Sequence, residues 1–533
     1  MATQVNSADH GTSLATKAIH FFPFDLYQPS DGRQALKLFV VIGALLLGIV
    51  LHYSRRSNHD IAIVNRRFSW EPSLIARLRW SLGALSILDS ADKKARGNPY
   101  RLDRGDKELL VLPVALIPEL NRLSPDILDA RQSHAFEFLA HLTGLELTAT
   151  ASYQTRILQR RVGPALPELF FPIARRISRA IQLNFPDSRE WTAIKPLPAA
   201  VPCFSEGMSL LLFGAEAKTV GSPTVYYLTP EPLPAILVDF YEPSLIKATT
   251  VFAVAFIMRL VPSILQRTLV WFLPVKWSLN RKWRELETIL TPEVQRQRGL
   301  KEDGKETSGM DLLSWMIRDA TTAFEQDASV LTTLCGSVAT GSIFSVGNLV
   351  CQILADLAAH SDVLDEVRAE IRNKHVQIGG RWNVPALGSL EKLESAMKET
   401  ARVASSPLII YNRVFITMSG RERTMDPTLY EDPEVYKGLR FCAPDKIDEH
   451  RMRPFRTVDT SILTWGAGRA ACPGRAIADA AAKVFLVQIL DEYDFALVDG
   501  NPPEPSILHE FIFFNPNNRM LCRRREDSIG IKF

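Results

Sequence analysis

The sequence is poor in cysteine, and its cysteines are dispersed. They are Cys203, Cys335, Cys351, Cys442, Cys472 and Cys522, with no CxxC pair among them. Zinc sites and disulfide-rich secreted domains need closely spaced cysteines, so the sequence fits neither class. It also contains no N-x-S/T glycosylation acceptor, which agrees with a main body that does not face the secretory lumen.

A large excess of one charge sign is also absent. The 533 residues include 62 lysines and arginines against 59 acidic residues, for a formal net charge of +3. This near balance argues against a nucleic-acid partner bound by bulk electrostatics, although a local basic patch remains compatible with it. Hydrophobic residues make up 46% of the chain, which is enough to form a large core.

Uniformly apolar runs are scarce, and the most prominent one lies near the N-terminus. Leu38–Tyr53 contains 16 residues without a formal charge, and adding residues 35–37 approaches the about 20 residues that cross a bilayer. We expect an N-terminal segment over residues 1–34, one transmembrane helix over 35–53, and a catalytic domain over 60–533. A signal peptide fits less well because the run starts late and lacks a cleavage site. A buried core helix is the remaining alternative.

The rest of the chain is dominated by helical patterns, with short strands near Leu109, near Leu408 and at the C-terminus. Ala248–Met258 is apolar but too short to span a membrane, so it is either a core helix or a patch in the lipid surface. Gln295–Gly309 is charged and contains glycine, which predicts a solvated loop. Ala328–His360 predicts a long helix in the centre of the core.

One segment, Trp465–Ala478, carries a distinctive chemical pattern and reads WGAGRAACPGRAIA. Gly466 and Gly468 permit a tight turn. Cys472 follows, just before a helix-forming run, where the helix dipole and free backbone N–H groups favour a thiolate. The same N–H groups can donate to a metal-bound sulfur.

This segment resembles the haem-binding loop of the cytochrome P450 superfamily, which has an aromatic residue, two glycines and the cysteine at this spacing. Two further landmarks occur in the family's order. Glu399 and Arg402 match its ExxR motif, with the acid and the base on one face of a helix. Tyr430–Pro433 leads to Arg440, which matches the arginine that completes a structural charged triad with that pair.

The resemblance implies a P450 fold, mostly α with small β-sheets, behind one N-terminal transmembrane helix. It also implies haem b as the cofactor, with Cys472 as the iron ligand. The other residues expected to contact the cofactor are Arg469, Gly466, Gly468 and Gly474.

The resemblance extends over nearly the whole chain from Asp60 onward. Stretches such as YRLDRGDKELLVLP and ILADLAAH are similar to filamentous-fungal members that oxidise terpenoid or mixed terpenoid metabolites. The expected activity is oxidation of an apolar small-molecule secondary metabolite with O2. Electrons must come from a partner, because the chain has no flavin or nicotinamide fingerprint. The family implies NADPH-cytochrome P450 reductase, on the endoplasmic reticulum membrane, with the catalytic domain in the cytosol.

The sequence departs from the family in the helix that should activate oxygen. Gly341–Ser345 aligns with the segment in which an acidic or polar residue precedes a proton-relaying threonine. Phe344 replaces the polar residue, whereas Ser345 keeps a hydroxyl and is the candidate catalytic residue. The alternative is that this hydroxyl only bonds back to its own helix.

Two further departures concern the haem loop and a small sheet. Ala470 stands where the family usually has a cation for a haem propionate, and Arg469 can compensate in part. After Arg413 only VFITMSGRERTM precedes Asp426, so either the sheet is cut back or coding sequence is missing. Two alternatives therefore stay open. One is a P450-fold isomerase or dehydratase without net oxygen insertion, suggested by Phe344, and the other is a non-catalytic haem protein.

Overall fold

The computed structural model describes residues 61–68, 70–124, 127–214, 250–304, 309–404, 408–411, 416–442 and 453–533. The expected transmembrane helix over residues 35–53 and Arg413 lie outside these ranges. The description that follows concerns the body formed by residues 61–66 and 72–533.

Helices dominate the described residues, as the sequence predicted. They are α1 Ser73–Ala95, α2 Ile117–Arg122, α3 Ala130–Glu137, α4 Ala140–Thr143, α5 Glu146–Thr150, α6 Tyr153–Ile157, α7 Leu166–Asn184, α8 Pro196–Phe213, α9 Thr250–Leu260, α10 Ser263–Leu269, α11 Pro274–Glu302, α12 Leu312–Asp319, α13 Ala323–Gln326, α14 Ala328–Ala359, α15 Ser361–Gln377, α16 Val384–Gly388, α17 Glu391–Val403, α18 Gly420–Thr424 and α19 Arg475–Glu492.

The strands form small sheets. They are β1 Ile63–Val64, β2 Tyr100–Asp103, β3 Glu108–Val111, β4 Thr192–Ile194, β5 Leu408–Tyr411, β6 Ile416–Ser419, β7 Tyr493–Leu497, β8 Pro505–Leu508, β9 Phe511–Phe514 and β10 Met520–Arg524. One sheet has the order β1-β2-β3-β6-β5, a second β4-β10-β7, and β8 pairs with β9 as an antiparallel hairpin.

The short segment after Arg413 still contributes to the first sheet. Strand β6 pairs in parallel with β3, with Leu110 opposite Ile416, and antiparallel with β5. Helix α18 follows directly at Gly420. The shortened segment therefore keeps one strand and one helical turn between Arg413 and Asp426.

Helix α14 forms the centre of the core, as its apolar pattern predicted. It begins after Asp327, whose carboxylate accepts hydrogen bonds from the backbone N–H groups of Ser329 and Val330. It packs against α8, α11, α17 and α19. Leu331, Ile343 and other apolar side chains along it are fully buried. The helix ends at Ala359, one residue before the expected end.

The predicted solvated loop over Gln295–Gly309 is wrong for most of its length. Helix α11 continues through this region as far as Glu302. Leu290, Val294 and Gln297 are buried along one side of it, so the charged residues of the run form the solvated side of an amphipathic helix. The charged residues favoured a loop in the sequence, because few apolar residues mark the buried side of this helix.

Within the apolar stretch Ala248–Met258, the described residues 250–258 belong to a core helix and do not form a patch in the lipid surface. Val254 and Ala255 on α9 are fully buried, and Ile257 is its one exposed large apolar side chain among the residues described. Two described helices, α8 and α14, are long and apolar enough to cross a membrane, but 78% and 56% of their apolar windows are buried inside the protein.

Candidate active site

The loop before Cys472 is held by backbone conformations that only glycine adopts easily. Gly466 has φ of 73° and Gly468 has φ of 57°, both in the left-handed region. A Cβ atom on Gly468 would lie 2.2 Å from Oδ1 of Asn121. The loop therefore needs glycine at this position both for its conformation and for its close approach to α2.

Hydrogen bonds close the same loop around the cysteine. The backbone N–H of Cys472 donates to the carbonyl oxygen of Trp465 at 2.7 Å. The indole N–H of Trp465 donates to the carbonyl oxygen of Phe455 at 2.6 Å. Arg475, the first residue of α19, donates from Nη1 to the carbonyl oxygen of Cys472 at 2.9 Å. The thiol is thereby placed at the N-terminus of α19.

The surroundings of the thiol suit a sulfur that binds a metal. Burial raises the pKa of Cys472, while backbone N–H groups of Gly474 and Arg475 and the charge of Arg475 act to lower its pKa. A bound cation shifts this balance toward the thiolate, and the N–H donors then tune its electron donation. A Cβ atom on Gly474 would meet nothing within 4 Å, so there is open space beside the cysteine.

Arg469 lies beside this loop but makes a different contact from the one expected. Its side chain is exposed, and Nη2 donates to the carbonyl oxygen of Leu123. A role as a propionate partner would require the side chain to leave that carbonyl.

The centre of α14 presents a second open surface, and α14 packs against α19. Gly341 and Ser345 are exposed, although Ile343 and Val346 beside them are buried. A Cβ atom on Gly341 would meet nothing within 4 Å. The hydroxyl of Ser345 donates to the carbonyl oxygen of Gly341 at 2.7 Å, so it bonds back to its own helix in this structure.

Glu399, Arg402 and Arg440 lie together in the core. Arg402 donates to both carboxylate oxygens of Glu399, at 2.8 and 2.9 Å, and Nε of Arg440 donates to the same carboxylate at 3.0 Å. The side chains of Glu399 and Arg402 are completely buried. Nη1 of Arg402 also donates to the carbonyl oxygens of Thr424 and Pro433, at 2.6 and 2.7 Å.

Sequence reasoning missed a group of phenylalanine rings beside Ser345. We call it the aromatic wall, and it consists of Phe138, Phe252, Phe256, Phe344, Phe511 and Phe513. The Phe344 ring lies 5.7 Å from that of Phe513 and 6.1 Å from that of Phe252, and Phe138 lies 5.0 Å from Phe252. The FIFF run of β9 was the one local signal for it.

A buried group of charges next to this wall was also missed. We call it the ion cluster, and it consists of Arg104, Asp106, Lys107, Glu137, Arg259 and Glu510. Arg104 donates to Glu137 at 2.7 Å, and Arg259 donates to Glu510 at 3.1 Å. These four side chains are at most 3% exposed. Their separation along the chain left no pattern in the sequence.

Comparison with known proteins decides the family. The cytochrome P450 family model matches residues 242–523. The chain belongs to the cytochrome P450 family. It is 25% identical to the cytochrome P450 monooxygenase ltmK of Epichloe festucae, over 93% of this chain and 94% of that protein. The cytochrome P450 monooxygenase terK of Tolypocladium album is 25% identical, over 85% and 88%. Ent-kaurene oxidase of Gibberella intermedia is 24% identical, over 92% and 93%.

Membership confirms several of the expectations from sequence. The chain is an oxygen-incorporating oxidoreductase that uses haem b, and its relatives are fungal monooxygenases. P450 enzymes of this kind take electrons from a reductase and act on hydrophobic substrates. The thiol with its N–H donors and the open space at Gly474 and Gly341 fit this cofactor.

Proposed function

We propose that this P450 oxidises a terpenoid or meroterpenoid in a fungal biosynthetic pathway, with Cys472 as the iron ligand. The observation that carries the assignment of the ligand is the half-buried Cys472 thiol, which faces backbone N–H groups at the N-terminus of α19. The relative named ent-kaurene oxidase supports the substrate class, and so does a wall made of apolar rings.

Each residue of the site then has a defined task. Haem b held by a cysteine thiolate activates O2 for insertion into a C–H bond. Cys472 would hold the iron through its sulfur, and the N–H groups of Gly474 and Arg475 would limit the charge that this sulfur donates. Gly466 and Gly468 set the loop that presents the sulfur.

Ser345 is proposed to deliver protons. Rotation about its Cα–Cβ bond releases Oγ from the carbonyl oxygen of Gly341 and turns the hydroxyl toward the open space on that side of α14. The rotation exchanges a bond within the helix for one to water or substrate, so its cost is low. Phe344 adds no polar group to this path, and the hydroxyl that follows it in the motif belongs to Ser345.

Stoichiometry tests the reaction type. We would reconstitute the purified chain with NADPH-cytochrome P450 reductase and offer cyclic terpenes, including ent-kaurene. A monooxygenase consumes NADPH and O2 in proportion to hydroxylated product. Turnover without reductant would instead support an isomerase or dehydratase, which Phe344 and the back-bonded Ser345 favour as the second candidate. A haem spectrum without turnover on any substrate would support a non-catalytic protein.

Electrons are proposed to come from NADPH-cytochrome P450 reductase on the endoplasmic reticulum. The proposed organisation keeps residues 1–34 as an N-terminal segment, 35–53 as a single transmembrane helix and 60–533 as a cytosolic catalytic domain. Its basis is the apolar run Leu38–Tyr53, followed by Arg55 and Arg56.

A second membrane contact is proposed on a different surface from α9. Leu74, Leu78 and Leu82 recur every fourth residue on α1, and Leu82 is 77% exposed. Ile264 on α10 and Phe272 after it are 87% and 73% exposed. Nη1 of Arg77 donates to the carbonyl oxygen of Val261 at 2.7 Å, so α10 starts beside α1. Exposed apolar area of this kind is typical of a lipid or protein contact.

Truncation separates the two membrane contacts. A chain that lacks residues 1–56 should still bind phosphatidylcholine vesicles weakly, and Leu82→Glu with Phe272→Glu should abolish that binding. Leu183→Glu is the matched control, because Leu183 is 73% exposed and belongs to α7, which is not one of the elements of this surface. A truncated chain with no affinity for vesicles would contradict the second contact.

A further inference from the structure

The aromatic wall and the ion cluster are built from the same chain segments. Glu137 directly precedes Phe138 at the end of α3. Phe256 and Arg259 lie three residues apart on α9. Glu510 directly precedes Phe511 at the start of β9. Three separate segments therefore each bring at least one ring to the wall and one charge to the cluster.

The ion cluster contains equal numbers of cations and anions, and hydrogen bonds join them in defined pairs. Arg259 holds Glu510 through both guanidinium nitrogens, each at 3.1 Å. Nη2 of Arg259 also lies 3.4 Å from Oε2 of Glu137, the oxygen that accepts from Arg104. Asp106 and Lys107 complete three cations and three anions. The indole N–H of Trp80 donates to Glu510 at 3.2 Å, so α1 is tied in as well.

Contacts between the rings alone would fix the geometry of the wall less tightly than the ion pairs do. Packing between phenylalanine rings tolerates a range of offsets and tilts, and the rings of the wall meet at angles from 11° to 87°. A carboxylate held by both nitrogens of an arginine has one favoured geometry. The bidentate pair therefore restricts the relative orientation of its segments more tightly than the ring contacts do.

The β8–β9 hairpin is attached to other elements near both of its ends. Its far end is joined to α14, because the backbone N–H of Phe514 donates to Oδ1 of Asn348. Asn348 lies three residues after Ser345. At the other end, Glu510 is held in the ion cluster, and the N–H of His509 donates to the carbonyl oxygen of Ser81 at 3.0 Å. Releasing Glu510 would remove the ionic attachment next to Phe511 and leave the hydrogen bonds of His509 and Phe514 in place.

We propose that the ion cluster positions the aromatic wall, and thereby determines how bulky a ligand can reach the open space beside Ser345. Arg104, Arg259 and Glu510 are thus positioning residues that act through the rings. This inference rests on the proposed function, since it takes that space to be the reaction chamber. The rings present no hydrogen-bonding group, so bulk and shape are what the wall discriminates.

Glu510→Gln tests the inference, because it keeps the shape and removes the charge. Arg104 and Arg259 would then face each other with one anion fewer, in a place where unpaired charge is strongly disfavoured. Two iron-binding probes are compared by stopped-flow spectroscopy: imidazole, and clotrimazole, an imidazole with three aromatic rings. We expect the association rate of clotrimazole to rise about tenfold while that of imidazole stays within about twofold.

Asp494→Asn is the matched control. Asp494 accepts from Arg368 at 3.0 Å, and it lies on β7, whose Phe495 contacts Phe185 and Tyr493 instead of the wall. This control should leave both rates unchanged. Unchanged rates in Glu510→Gln, or an equal rise for both probes, would overturn the inference.

Two further variants keep the test decisive if Glu510→Gln does not load haem. Arg259→Lys retains the charge but loses the bidentate grip, and it should raise the clotrimazole rate selectively. Phe511→Ala leaves the cluster intact and should do the same by opening the wall directly. A selective rise in Phe511→Ala without one in Arg259→Lys would contradict the positioning role. Wild-type protein that binds neither probe would instead count against the proposed haem site itself.

Discussion

Two of the buried groups of charges in the described part of this P450 are assembled in opposite ways. Glu399 and Arg402 are three residues apart on one helix, and Arg440 is 41 residues from Glu399. In the ion cluster, Arg259 and Glu510 are 251 residues apart. Arg402 is further satisfied by two backbone carbonyls, whereas Nε of Arg259 has no hydrogen-bond partner among the described residues.

The difference indicates different roles for the two groups. A locally built and fully bonded group, such as that of Glu399, holds one arrangement and stabilises the fold. The ion cluster joins segments that have their own packing, so it can be loosened without dismantling any one of them. Substitutions of Cys472 and Glu399 should therefore have the largest effects on haem binding and stability. Substitutions near the aromatic wall should have smaller effects.

Cys472→Ala should have the largest effect. If Cys472 supplies the thiolate, the reduced carbon monoxide complex of the variant should lose its thiolate-type absorption entirely, because no other sulfur occupies the loop. Difference spectroscopy of purified protein measures this. Cys442→Ala is the control and should retain the wild-type spectrum. An unchanged spectrum in Cys472→Ala would remove the proposed site.

Glu399→Gln should have the second-largest effect, a loss of folding stability. It leaves the guanidinium groups of Arg402 and Arg440 buried against a neutral partner, and breaking a buried pair in this way costs about 3–5 kcal/mol. Denaturant unfolding and haem content measure the loss. Glu431→Gln is the control, since Glu431 is 76% exposed. A cost for Glu399→Gln as small as that of the control would erase the contrast between the two charge groups.

Ser345→Ala should reduce coupling without loss of haem. Removing a group that delivers protons should lower product formation by about 10², with the missing electrons recovered as hydrogen peroxide. Ser342→Ala is the matched control, because its hydroxyl bonds back to Ala339 at 3.2 Å on the same helix. Equal coupling in both variants would assign the task to water or to the substrate.

The Cys472 loop and the Glu399 group were easier to predict from the sequence than the aromatic wall and the ion cluster, for a physical reason. A loop with two glycines before Cys472, an acid and a base one helical turn apart, and a long apolar helix are all local patterns. The ion cluster has no such pattern, because Arg104, Glu137 and Glu510 become neighbours only through the tertiary fold. The charged end of α11 misled because a solvated helix face and a loop share one composition.

His509 offers the smallest and most specific effect. Burial, together with the charges of Arg259 and Arg104, lowers the pKa of His509 to about 3 from an ordinary 6.5. His509 therefore binds a proton in the unfolded chain at a higher pH than in the folded chain. The free energy of unfolding should fall as the pH drops below about 6.5. The expected contribution is about 2 kcal/mol by pH 5.

The substitution His509→Asn tests this contribution. Asparagine tolerates the left-handed conformation that His509 adopts, with φ of 53°. The free energy of unfolding should depend less steeply on pH in the variant than in the wild type between about pH 6.5 and 5. Parallel pH profiles would mean that folding does not lower the pKa of His509.

The hydrogen bond between Trp80 and Glu510 has a consequence for how the chain folds. Its two residues are 430 positions apart, and contacts so distant in sequence close late because the intervening loop must be ordered first. The packing of Leu88 with Leu102 and Leu109 is local and can form early during synthesis. The ion cluster can form only after the β8–β9 hairpin, which carries Glu510, has left the ribosome. Acquisition of ligand selectivity should consequently be among the last events in the maturation of this enzyme.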